Sequence, residues 1–466
     1  MKIYVLGWLG AIKLYPYNVP GSVFIVFMEP YRKELTMYNK NYISVGIDVG
    51  SAFSFMTILA PDETVILKPF KITHNNKDSL ERAVSEIKKA EELYSLESRT
   101  FLESTGIYHF PLFCYLVDCG FNASIINPII THSTKNGNIR KVKNDKIDSK
   151  GIAKLGLSKD IPVSQFPAKL VLELRSLTRK YYDLTDERSA HINKLKGDLH
   201  TVFPQYLDVF CDVTGKTSTM ILRQYGTPDK ILRGHKKTMI EKISKASRKG
   251  LAKASERYEK LCAAANAAKT FGCQIDSIYF NIFLTLDLVE KLDSALDSIL
   301  NRIRQLITFN KNEKFIQQIK LLNTIPGVGF LTAVTIMCEI GDFSAFRNPK
   351  QLFAYFGLDP EVNESGKFVG TQLHMSKRGS RIARRAIFAV ALASIRTKRN
   401  GEGINPYLRK YYELKSGQKP KMVAIGAVMH KVCNIVFAVL RDEKAFELRS
   451  PEEHCKQYQR PALAAA

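Results

Sequence analysis

Apolar residues at Ile43, Val45, Ile47 and Val49 recur at every second position, whereas from Leu170 onward they recur at every third or fourth. A chain that changes period in this way is expected to fold as a sheet-containing unit followed by a helical one. Within the first stretch, YISVGIDVGSAFSFMTILAPDETVILKPFK (42–71), the alternation puts Ser44, Gly46 and Asp48 on the face opposite the aliphatic residues. A turn at Pro61-Asp62-Glu63 joins two more strand-like runs, Phe55–Ala60 and Thr64–Phe70. An acid inside an apolar strand has three readings. It is a metal-binding carboxylate of a nuclease, part of the Gly-rich phosphate turn of an actin- or sugar-kinase-like ATPase, or a turn or capping residue with no chemistry.

The remainder of the first region alternates helices and strands. An amphipathic helix over Lys77–Tyr94 precedes a short strand ending near Glu103, then a helix in HFPLFCYLVDCG and a fifth strand over Asn122–Pro128. A basic loop, THSTKNGNIRKVK, leads into a closing helix that begins near Asn144. Three hairpin strands followed by α-β-α-β-α is the order of a ribonuclease-H-like domain, although an actin-like ATPase begins the same way.

Beyond this, Leu170, Leu174, Leu177, Tyr181, Leu184, Ile192 and Leu195 form a heptad seam with Arg188 as its polar break. A second seam runs Ile282, Leu286, Val289, Leu296, Ile299, Ile303, Leu306, and a strongly basic segment lies between the two. The pair predicts an antiparallel helical arm whose seam closes within the chain or against a second subunit. In LNTIPGVGFLTAVTIMCEIG, the Pro326-Gly327-Val328-Gly329 turn has the form of a helix-hairpin-helix. It suits either a phosphate contact or an ordinary interhelical turn. The expected organisation is α/β plus all-α: an extension (1–40), a RuvC/ribonuclease-H-like domain (41–160), a coiled-coil arm with a basic insert (165–317), a helical domain (318–446) and a tail (447–466).

A length of 466 residues exceeds one hydrophobic core, and 69 Lys and Arg against 45 Asp and Glu give a formal charge of +24. Charge of that sign spread along the chain points to nucleic acid as partner. The eight cysteines and nine histidines form no C-x-x-C or H-x-x-x-H pair, so zinc is not expected and a reducing cytoplasm is. GSVFIVFM (21–28) is too short to span a bilayer, and Pro16, Pro20 and Pro30 interrupt its surroundings.

Phosphodiester chemistry with two metals needs several carboxylates in one place. In the inferred order Asp48 sits on the first strand and Glu103 ends the fourth, its neighbour, while Asp145 and Asp148 share a face near the start of the closing helix. Alone, the last two would suit a solvated helix start. Together the four favour metal-dependent nuclease chemistry, and the helical sequence beyond 160 leaves no second phosphate loop for an ATPase.

The motifs GIDVG, LESTGIYHFPLFCYLVDCGFNASIINP, KNDKIDSKGIA, IPGVGFLTA, FAYFGLDPEVNESGKFVG, MSKRG and KPKMVAIGAVMHKVCNIVFAVL complete a pattern. Over about residues 42–446 the chain resembles the DEDD transposases of the IS110 insertion-sequence family, which are relatives of the Piv and MooV DNA invertases and are known as bridge-RNA-guided recombinases. The resemblance implies that Asp48, Glu103, Asp145 and Asp148 bind Mg²⁺ and that Ser365 is the nucleophile. It also implies DNA ends and target as substrates, a structured guide RNA, and a homo-oligomer from dimer to tetramer. From the residues alone NESGK is first a polar turn. Lys367, Lys377, Arg378, Arg381, Arg384 and Arg385 follow it closely, enough charge to hold a scissile phosphate. No His adjoins Ser365, so activation by metal is the expected route. The competing Ser376 suits an N-cap of the helix starting near Arg378. The alternatives are a RuvC-type structure-specific endonuclease using water and a non-catalytic nucleic-acid-binding protein.

Overall fold

The computed structural model describes residues 41–103, 108–126, 145–158, 169–361, 364–365, 368–369, 374–450 and 452–453. The expected N-terminal extension, the basic loop at 131–143 and most of the tail lie outside these residues. Contacts divide the chain into two units, Met1–Phe166 and Pro167–Ala466.

The first unit is mixed α/β. Its five strands, β1 (Ile43–Val49), β2 (Phe53–Leu59), β3 (Val65–Thr73), β4 (Ser98–Glu103) and β5 (Asn122–Ile126), form one sheet in the order β3-β2-β1-β4-β5. Strands β1 to β3 pair antiparallel, while β4 runs parallel to both β1 and β5. Parallel neighbours need crossovers, and α1 (Lys77–Tyr94) and α2 (His109–Asp118) provide the length for them. The alternation read from sequence sorts the faces. Ile43, Val45, Ile47 and Val49 pack with Ala83 and Ile87 of α1 and Leu112, Phe113 and Leu116 of α2. The opposite face takes α3 (Asp145–Ser158), whose Ile152, Ala153 and Leu155 meet Tyr42, Leu59 and Phe101.

In the second unit two 34-residue helices, α4 (Lys169–Val202) and α10 (Asp276–Phe309), lie side by side. They run antiparallel, since Leu170 and Leu174 share a cluster with Ile303 and Leu306 while Leu195 and Leu199 share one with Ile282 and Leu286. The seam thus closes within the chain. Its polar break is answered, because Arg188 pairs with Asp293 of α10 through Nε, and its Nη2 donates to Oδ2 at 3.1 Å. The basic segment between them folds into α5 (Tyr206–Val209), α6 (Lys216–Gln224), α7 (Pro228–Arg233), α8 (Lys236–Ser247) and α9 (Leu251–Phe271). These helices surround a core of Phe203, Tyr206, Ile221, Met239, Ile243 and Leu261, which they share with the ends of α4 and α10.

The rest of this unit comprises α11 (Lys314–Leu322), α12 (Phe330–Ile340), α13 (Pro349–Tyr355), the ladder of β6 (Glu364–Ser365) and β7 (Phe368–Val369), α14 (Arg381–Ser394), α15 (Pro406–Ser416) and α16 (Lys421–Asp442). Among the described residues α16 is the one helix long and apolar enough to cross a membrane. Here Val428, Val432, Val436 and Leu440 place it inside the core. The turn before α12 has a packing role. Gly327 has φ +98°, and a Cβ there would lie 2.4 Å from Ser394 Oγ of α14. Ser394 Oγ donates to Pro326 O at 2.9 Å.

One buried charge ties α4 to α12. Glu339 accepts from Arg179 Nε and Nη2 at 2.8 and 2.9 Å, and its side chain is 2% exposed. Burial opposes its ionisation, but hydrogen bonds from Arg179 and Ser380 outweigh it and hold the carboxyl below its usual 4.5. Arg179→Ala strands that carboxylate and is expected to cost about 3 kcal/mol in urea unfolding. The contribution of Glu339 is complete above pH 4.5 and is lost as pH falls through the lowered folded value, so the variant should lose part of the acid limb of the stability profile.

Candidate active site

Asp48 lies near the C-terminal end of β1, on the even-numbered face that α3 covers. Three contacts set the register of helix on strand. Tyr42 OH donates to Gly156 O, and Ser44 Oγ donates to Ala153 O, each at 2.7 Å. At Gly46 a Cβ would sit 2.3 Å from both Ala153 N and Ser149 O, so the two backbones touch there. Moving two residues up the strand, about 6.6 Å, therefore moves about four residues back along the helix, about 6 Å. The next step brings Asp48 level with the first turn of α3, which holds Asp145 and Asp148. A separate contact agrees, because Phe55 pairs with Asp48 across the sheet and Lys146 Nζ sits 5.8 Å from the Phe55 ring centroid.

Glu103 completes the row. Ile47 pairs with Leu102 in the parallel β1–β4 ladder, so the following residues, Asp48 and Glu103, are neighbours at the same end. Phe101 contacts α3 while Leu102 faces the other core, which puts Glu103 on the α3 side. Glu103 is buried, and Asp48 and Asp148 are half-buried. Carboxylate oxygens are hard donors, the type that divalent cations such as magnesium take. The side chain of Asp145 lies outside the described residues, among which no three His, Cys, Asp or Glu side chains are grouped to hold a metal. Of the residues that set this geometry, the alternation places Gly46 on this face without showing its packing role, and nothing in the sequence pattern singles out Ser149 or Ala153. The trait these residues share is small size, Ser44 and Gly46 facing Ser149, Ala153 and Gly156.

In the second unit Ser365 belongs to β6 and pairs with Phe368. The segments leading to and from this ladder are joined. Glu361 N donates to His374 O at 2.8 Å, Ser376 N to Asp359 O at 2.8 Å and Lys377 N to Gly357 O at 3.0 Å. Ser376 is buried, and its Oγ donates to Asp359 Oδ1 at 2.6 Å. The cap of α14 is Ser380, whose Oγ accepts from Ala383 N at 3.2 Å, and not the expected Ser376. The helix starts three residues later than expected because Lys377, at φ +54°, turns the chain away from helical geometry first. The side chain of Ser365 and all of Lys367 lie outside the described residues.

The cations differ in role. Lys377 and Arg378 are exposed. Arg381 approaches Asp186 of α4 at 3.9 Å, while Arg385 pairs with the same carboxylate at 2.7 Å and lies 4.8 Å over Tyr182. Arg384 Nη1 donates to Phe356 O, Lys377 O and Gly379 O at 3.2, 3.2 and 2.7 Å, and burial lowers its pKa. It holds the chain beneath Lys377 and Arg378.

Residues 45–204 match a DEDD-type family model described as Transposase, and residues 319–413 match the model of the Transposase IS116/IS110/IS902 family. Among curated proteins, the chain is 23% identical over 286 residues to the "insertion element IS110 uncharacterized 43.6 kDa protein" of Streptomyces coelicolor, 61% of this chain and 66% of that one. It is 30% identical over 177 residues to the pilin gene-inverting protein of Moraxella bovis, 38% of this chain and 52% of that one. It is 26% identical over 188 residues to the transposase for insertion sequence element IS1111A of Coxiella burnetii, 39% of this chain and 50% of that one. The matches thus span between half and two thirds of these relatives' own lengths.

Two glycine substitutions test the helix-on-strand contact. Gly46→Ala must push α3 off the sheet and should cost about 1–3 kcal/mol in denaturant unfolding. Gly151→Ala, within α3 and with open space around it, should be neutral or stabilising by up to about 1 kcal/mol. Equal effects at the two positions would contradict the close approach.

Proposed function

The chain belongs to the IS116/IS110/IS902 family of transposases, and on that premise we propose that it cuts and rejoins DNA in the movement of an insertion sequence. Asp48, Glu103, Asp145 and Asp148 hold divalent metal, Mg²⁺ in the cell, on a ribonuclease-H-like sheet of RuvC type. What supports the reading is that Asp48 and Glu103 follow the paired Ile47 and Leu102 on adjacent parallel strands, and that α3, whose first turn carries Asp148, touches β1 at Gly46, two residues before Asp48. Metal there would supply positive charge to the scissile phosphate and lower the cost of ionising a hydroxyl.

Ser365, in the second unit, is the nucleophile of this reading. Its Oγ bonds to phosphorus as the ester bond to one DNA oxygen breaks; Oγ gives up a proton, and the departing DNA oxygen gains one. The phosphoserine conserves the ester for rejoining, which water as nucleophile would not. Lys367, Lys377, Arg378 and Arg381 hold the phosphate oxygens, with Arg384 as the brace behind them. By family resemblance a structured RNA selects donor and target, and the protein works in the cytoplasm as a dimer or tetramer. The 41–160, 165–317 and 318–446 segments correspond to nuclease domain, helical arm and serine-bearing domain.

Asp48→Asn removes a metal-binding charge and should abolish strand cleavage while leaving DNA binding intact, as should excess EDTA with the unmodified protein. With substrate and Mg²⁺ the protein should form a DNA adduct that survives SDS. Ser365→Ala should lose adduct and recombination, and Ser376→Ala should keep the adduct. Cleavage by Ser365→Ala, with no adduct in the unmodified protein, would make the chain a hydrolytic nuclease.

The basic segment between the long helices is a second nucleic-acid surface. Deleting it would open the core it shares with α4 and α10, so charge removal is the cleaner test. Lys242, Lys245, Arg248, Lys249 and Lys253 are exposed on α8, α9 and the turn between them. Changing all five to Gln should weaken binding to every sequence alike and flatten the slope of log affinity against log salt by about 0.9 for each phosphate no longer neutralised. An unchanged slope would make the segment structural.

A further inference from the structure

We propose that Phe55, buttressed by Phe53 and flanked by Lys71 and Lys146, is a stacking platform for an unpaired DNA strand entering the carboxylate end of the sheet. The identity of the strand rests on the cleavage reading above; the platform itself rests on separate observations. Asp48 pairs with Phe55 across β1 and β2, and Phe55 pairs with Lys71 across β2 and β3. Directly opposed residues in antiparallel strands share a face. A row therefore crosses the sheet on the α3 side, with Lys71, Phe55 and Asp48 in order and Glu103 beside Asp48. With strands about 4.8 Å apart, Lys71 starts about 10 Å from Asp48.

Packing does not account for these two phenylalanines. On the other face their neighbours Met56 and Ile72 are fully buried in a core, whereas Phe53 and Phe55 are half-buried and belong to no hydrophobic cluster among the described residues. The two rings meet edge to face, with centroids 5.8 Å apart and planes at 84°, so Phe53 fixes the plane of Phe55. Cations stand on both sides. Lys71 Nζ is 4.2 Å from the Phe53 centroid and Lys146 Nζ is 5.8 Å from that of Phe55, and both lysines are exposed. Aromatic rings beside ammonium groups match what a single strand offers, a base face and its phosphates. Bases in a duplex are stacked on one another and have no free face to give. The platform thus favours unpaired DNA.

The test uses the full chain in EDTA, so that nothing is cut, and a labelled mixed-sequence DNA oligonucleotide as single strand and as duplex. Phe55→Leu keeps apolar bulk and loses the ring. It should weaken single-strand binding about tenfold while duplex binding stays within about twofold. Phe55→Tyr, which keeps the ring, should retain single-strand affinity. Lys71→Gln should lower the salt slope for the single strand by about 0.7. Unchanged single-strand affinity in Phe55→Leu, equal losses for both DNA forms, or a Tyr variant as impaired as the Leu variant would overturn the platform. These results are separable from the metal reading. Cleavage surviving in Asp48→Asn removes that reading and leaves the platform, whereas unchanged binding by Phe55→Leu does the reverse.

Discussion

The contact between α3 and β1 at Gly46 is the constraint from which the candidate site follows. Elements that pack through ordinary side chains stand about 10 Å apart, and at that distance the polar first turn of the helix would be remote from the strand ends. Here Gly46 admits the backbone of Ser149 and Ala153, and hydroxyls of Tyr42 and Ser44 bond helix carbonyls directly. Thr57 and Ser149 hydroxyls bond each other at 2.7 Å from the neighbouring strand. Small and hydroxyl-bearing residues thus bring the helix down and fix its register. Asp48 follows the glycine contact by two residues along β1.

The second unit uses charge differently. Glu339 is buried with Arg179 on it, Asp186 holds Arg381 and Arg385, and Arg384 is committed to three carbonyls. Of the basic run after Ser365, several members therefore fix α14 against α4 or support the turn ahead of it. That leaves Lys377, Arg378 and the largely exposed Arg381, 3.9 Å from Asp186, as the charges of the run open to a ligand among the described residues. The part-buried Ser376–Asp359 bond and the paired segments around it give the Ser365 ladder a firm base.

Periodicity made much of this legible. The alternation at Ile43–Val49 predicted both sheet faces, and the strand ending at Glu103 and the helix over Lys77–Tyr94 came out with matching bounds. The heptad seams gave two helices, but a seam has no address, and only the structure shows that it closes within the chain. Caps were less legible. Ser376 and Ser380 both precede the helix, and the choice between them turned on the positive φ of Lys377, which no local pattern announces. The same holds for Arg384, since a basic residue among basic residues gives no sign that its partners are backbone carbonyls. Phe55 opens a strand-like run in the sequence and Phe53 lies before it, and the lack of a core around both is visible only once the faces are assigned.

The carboxylate assignment is open to one direct measurement. Loading the full chain with Fe²⁺ in place of Mg²⁺ and adding ascorbate and peroxide generates radicals at the metal, which cut the nearby polypeptide. If Asp48, Glu103, Asp145 and Asp148 hold the ion, fragment mapping should find breaks at the end of β1, the end of β4 and the start of α3, all absent in Asp48→Asn. Breaks elsewhere, or the same breaks in the variant, would contradict the account.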